Sequence, residues 1–100
     1  MSDMVKMAER EILRGEILKL CREAAPVGCS EKVLRATVER LELSADGLEQ
    51  ELYYLTEKGF IRKEHTENKR LGISRDIYMI TAAGMDYLDG NGPDIPGIGV

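Results

Sequence analysis

Along the first twenty-five residues the apolar positions repeat in steps of three and four. Leu13, Ile17, Leu20, Cys21 and Ala24 share one side of a helical cylinder, while Arg10, Arg14, Lys19 and Arg22 fall elsewhere around it. The pattern predicts a helix from about Ser2 or Asp3 to Ala25, with Gly15 as a weak point inside it. Pro26 stops this helix, and Val27-Gly28-Cys29 reads as a connector. Ser30 is a good cap for a second helix, with Glu31 well placed for the dipole of its first turn. The inward stripe of that helix is Leu34, Val38 and Leu41, with Val33 and Thr37 beside it. Ser44 is the expected cap of a third helix, in which Leu48, Leu52 and Leu55 form one face. Gly59 suits the left-handed position that closes such helices.

After Gly59 the period changes. Phe60 and Ile61 lead into the polar stretch from Arg62 to Asn68, and a second β-like run follows from Asp76 to Ile80. The segment Asn68-Lys69-Arg70-Leu71-Gly72 between them has turn chemistry, so a hairpin is expected. Thr81 then caps a short helix through Leu88, which Gly90 ends. The last ten residues, 91–100, hold three glycines and two prolines and read as an extended tail. Its Ile95, Ile98 and Val100 are apolar enough to dock on the domain or on a neighbour.

The order helix, helix, helix, hairpin, helix over residues 1–90 is that of a winged helix-turn-helix domain. Such a fold is mainly α, with a three-helix core, a two-stranded wing and a short C-terminal helix. Leu55-Thr-Glu-Lys-Gly-Phe-Ile61 resembles the end of the recognition helix in MarR-, PadR- and ArsR-like winged-helix proteins. Tyr78-Met-Ile-Thr-Ala-Ala-Gly84 resembles their strand-to-helix junction, and the likeness spans about Leu13 to Leu88. Ile12-Leu-Arg-Gly-Glu-Ile-Leu18, together with Pro96-Gly-Ile98, is similar to small winged-helix proteins of Mu-like prophages. The resemblance implies binding of double-stranded DNA by a small transcriptional regulator. It also implies a homodimer packed through terminal helices, for which the apolar start (Met1, Met4, Val5, Met7, Ala8) is a candidate surface.

Charge complicates that expectation. The net charge is −4, whereas a domain that grips phosphate without sequence preference is usually basic. Opposite its leucines, the third helix is expected to present Asp46, Gln50, Tyr53 and Glu57, with Tyr54 and Lys58 on the flank. Gln50 can pair with adenine in the major groove, and Tyr53 and Tyr54 can touch phosphate or a thymine methyl group. The carboxylates there would repel phosphate, and a solvated acidic face is the plainer account. The hairpin is the most basic stretch: Lys63, Lys69, Arg70 and Arg75 lie in or beside it, and Arg62 leads into it. Cations there suit backbone phosphate or a minor groove, although strand charges also protect a sheet edge from pairing. In the first helix Arg10, Arg14, Lys19 and Arg22 alternate with Glu9, Glu11, Glu16 and Glu23, which reads as a salt-bridged solvent face.

Nothing in the sequence points to catalysis. His65 is the only histidine, Cys21 and Cys29 form no CxxC or CxC pair, and there is no Gly-rich phosphate loop. No enzyme activity, metal or cofactor is expected, and both thiols are expected to be free in a reducing, cytoplasmic setting. No segment approaches the roughly 20 apolar residues of a membrane span, and none resembles a signal peptide. The sequence therefore leaves two functions open. One is DNA binding through the third helix and the wing. The alternative is a protein-interaction module of phage or prophage origin, with the acidic helix and Tyr53 and Tyr54 meeting a protein partner.

Overall fold

A computed structural model describes residues 2–90 and 98. The elements in order are α1 (Ser2–Ala24), β1 (Cys29–Ser30), α2 (Glu31–Arg40), α3 (Leu48–Glu57), β2 (Ile61–Asn68), β3 (Ile73–Ile80) and α4 (Ala82–Leu88). The fold is thus mixed, with four helices and one antiparallel sheet of strand order β1-β3-β2. The expected two-stranded wing is part of a three-stranded sheet. Cys29 and Ser30, read as the end of a connector and a cap, pair with Tyr78 and Ile77. A two-residue strand has no alternation to reveal it in the sequence.

α1 touches α2, α3, α4 and the sheet, which explains why it is buried over a wide arc. Leu13, Ile17 and Cys21 face the core as the period requires, and Leu18, outside the expected stripe, is fully buried as well. Leu20 and Ala24 are only partly covered. In α2, Leu34 and Val38 are buried, but Leu41 falls at the C-cap, where the chain turns away, and is 48% exposed. The Ser30 hydroxyl accepts from the Val33 N–H, so this cap forms as expected.

Ser44 does not cap α3. Its hydroxyl accepts from the Asp46 N–H within a local turn, and the helix starts at Leu48 behind Gly47. The turn sets the Ala45 side chain in the core and leaves Asp46 exposed, ahead of the helix and off its face. The far end of α3 closes as the sequence implies. Gly59 has φ +79°, its N–H reaches the Thr56 carbonyl, and the Phe60 N–H reaches the Leu55 carbonyl, both at 3.0 Å. This pair of bonds is the Schellman arrangement, and Phe60 and Leu55 are both buried.

β2 and β3 form a hairpin in unbroken register from Ile61 opposite Ile80 to Asn68 opposite Ile73. β3 begins at Ile73, three residues before the expected start. At the turn the Leu71 N–H lies 3.2 Å from both the backbone carbonyl and the side-chain oxygen of Asn68. Thr81 caps α4 by accepting from the Gly84 N–H, and its own hydroxyl donates to the Gly59 carbonyl. Phe60 stacks on Tyr87 of α4, with ring centres 5.0 Å apart. Ile98 is buried in the same core, and the Tyr87 hydroxyl donates to its carbonyl. The remaining tail residues, Ile95 and Val100 among them, and Met1 lie outside the described residues.

Candidate nucleic-acid interface

The residues expected to contact DNA divide into two groups. On α3, Gln50 is exposed and Tyr53 is 68% exposed, so both stand on the outer face with Glu49 and Glu57. Tyr54 is half-buried. The guanidinium of Arg14 lies 3.8 Å from its ring centre and the Lys58 Nζ 5.5 Å away, so this tyrosine packs between cations.

Glu51, a further carboxylate of α3, is not on the outer face. It is 2% exposed and receives hydrogen bonds from Arg14 and, at 2.9 Å, from Arg10. Arg10 and Arg14 therefore do not serve a solvent ladder on α1. Lys19 does pair with Glu16 at 3.5 Å, while Arg22 pairs with Asp89 of the C-terminal region at 2.9 Å.

On the hairpin, the inner face carries a polar network. Lys63 Nζ lies 3.4 Å from Asp76 and 6.0 Å from the Tyr78 ring centre. The His65 ring sits 2.8 Å from Asp76, 3.1 Å from the Ser74 hydroxyl and 3.3 Å from Glu67. Hydrogen bonding to Asp76 is the main cause that raises the His65 pKa, and the same contact lowers that of Asp76. Lys63 is held charged by Tyr78 and Asp76. Arg62 is 3.4 Å from Glu64. Lys69, Arg70 and Arg75 are exposed and make no ion pair with any described carboxylate.

Between α3 and the hairpin lies an open cleft of about 450 Å³. Glu31, Glu49, Tyr53, Thr56, Glu57, Lys63, Asp76 and Tyr78 line it. Four carboxylates against one lysine make its floor negative, so the cations of the turn are not joined to α3 by a basic band. Burial raises the Cys21 thiol to about 12, with Cys29 adding to the effect, and it raises Cys29 as well. Both thiols are free. Among the described residues no group of three or more His, Cys, Asp or Glu side chains is placed to hold a metal ion. None of the described helices is long and apolar enough to cross a membrane. No family model, curated protein or solved structure matches this chain.

Proposed function

We propose that the chain is a winged-helix module that binds double-stranded DNA as a small, homodimeric, non-enzymatic transcriptional regulator, with its wing making the phosphate contacts. The observation that carries this reading is the hairpin turn, where Lys69 and Arg70 are exposed and, like Arg75, not spent on a described carboxylate. A cation that releases a counterion from DNA must not already be neutralised. The order of three helices, a hairpin and a closing helix supports the winged-helix part of the proposal. On α3 only Gln50 and Tyr53 remain as candidates for base contact, because Tyr54 is engaged by Arg14. Fluorescence anisotropy on duplex DNA at low salt tests the reading. Arg70→Ala should weaken binding and reduce the slope of log affinity against log salt by about one. A folded protein that does not bind duplex DNA at low salt overturns it.

The acidic cleft favours the second reading, a protein-interaction module whose partner brings Lys or Arg side chains to Tyr53, Glu49 and Glu57. Under that reading Glu49→Lys with Glu57→Lys abolishes partner binding, whereas the same pair strengthens DNA binding if the first reading holds.

A further inference from the structure

β2 is an edge strand with one side open. The Thr81 N–H donates to the Phe60 carbonyl at 3.0 Å, one step before the first pair of the β2–β3 register. Antiparallel pairs alternate between bonded and non-bonded, so Arg62, Glu64, Thr66 and Asn68 turn their N–H and C=O groups toward β3. Lys63, His65 and Glu67 turn theirs to the open side. The strand has eight residues, against about 5–6 for an ordinary one, and every residue from Arg62 to Asn68 is exposed.

We propose that this edge pairs antiparallel with the β2 edge of a second copy, about a two-fold axis at His65, to form a six-stranded sheet. The side-chain charges favour that register. Centring on His65 brings the two His65 side chains together at the axis, sets Lys63 opposite Glu67 of the second copy, twice, and sets Glu64 opposite Thr66 and Arg62 opposite Asn68. Moving the axis to Glu64 opposes two glutamates and sets Lys63 against His65. Moving it to Lys63 opposes two lysines, although Arg62 then meets Glu64, and leaves residues 66–68 of each strand unpaired. Moving it to Thr66 sets His65 against Glu67 but gives up both Lys63–Glu67 pairs. Charges on an edge ordinarily discourage pairing. Here only the His65-centred register pairs Lys63 with Glu67 while setting no two lysines and no two glutamates opposite each other within the strand.

The arrangement also consumes the longest open edge of each copy. The new outer edges are the two-residue β1 and the turn-side part of β3 that β1 leaves uncovered, residues 73–76, both shorter than β2. This interface is separate from the exposed methionines of α1 and does not depend on DNA binding.

Sedimentation velocity on the full chain tests the proposal. The wild type should dimerise. His65→Pro should be monomeric with an unchanged far-ultraviolet circular dichroism spectrum, because the N–H it lacks faces the open side rather than β3. Lys63→Glu and Glu67→Lys should each weaken the dimer by about tenfold, and the double exchange should restore it. A wild type that stays monomeric at about 100 μM overturns the proposal. So does a dimer that His65→Pro leaves intact, or a double exchange that fails to rescue. If His65→Pro does not fold, the charge exchange decides the matter alone.

Discussion

Arg14 of α1 and Glu51 of α3 meet inside the protein, the guanidinium Nε donating to one carboxylate oxygen while Arg10 donates to the other. The Arg14 side chain is 12% exposed and Glu51 is nearly enclosed, whereas Arg10 is 55% exposed. Removing the acid takes the nearly enclosed carboxylate from a mostly buried guanidinium, but removing the outer arginine leaves the inner pair intact. Glu51→Ala should therefore cost roughly 3–5 kcal/mol, as expected for one partner taken from a buried pair. Arg10→Ala should cost less than about 1 kcal/mol. Denaturant midpoints of the two variants check this, and equal losses would refute the division of roles.

Gly84 is a point of close approach. A Cβ there would run into the Phe60 carbonyl oxygen and lie 2.8 Å from Ile80 Cγ1. Gly84→Ala should destabilise by about 1–3 kcal/mol despite the better helix propensity of alanine. The exposed Ala83→Ser is the matched control and should shift the thermal midpoint little.

His65 should titrate above its usual 6.5 because Asp76 and Glu67 hold hydrogen bonds to its ring. A raised pKa means its stabilising contact is complete below the unfolded value and fades as pH rises through the folded one. Asp76, with a lowered pKa, behaves oppositely, losing its contribution as pH falls through its folded value. The hairpin network is therefore strongest in mildly acidic solution, between those limits. Imidazole chemical shifts followed against pH should show the elevation, and Asp76→Asn should abolish most of it.

Neither cysteine should react with a thiol reagent at pH 8 in the native protein. Burial opposes the thiolate at both sites, and Cys21 is wholly enclosed. Both should react at once in guanidinium. Rapid native labelling of Cys21 would contradict this packing.

The local signals in this chain were legible. The hydroxyls of Ser30 and Thr81 and the left-handed Gly59 each act within three or four residues, where sequence and geometry coincide. Ser44 misleads because it has the same chemistry but spends it on a turn that carries Ala45 inward before α3 begins. Long-range relations left no trace. Glu51 lies at the border of the leucine stripe, and its position alone does not show whether it meets water or arginine. The partners that decide it are a whole helix away, in α1. Likewise the basic hairpin was visible, but the loss of Lys63 to Asp76 and of Tyr54 to Arg14 appears only once the chain is folded.

The two-residue strand β1 bears on how the chain reaches its native state. β2 and β3 can zip together across their own short turn, because each pair follows from the one before. Cys29 and Ser30 can join only after β3 exists, across a loop that encloses α2, α3 and β2. Ser30 also caps α2. The start of α2 is therefore tied to a late closure, and substitutions at Ser30 should accelerate unfolding far more than they slow folding.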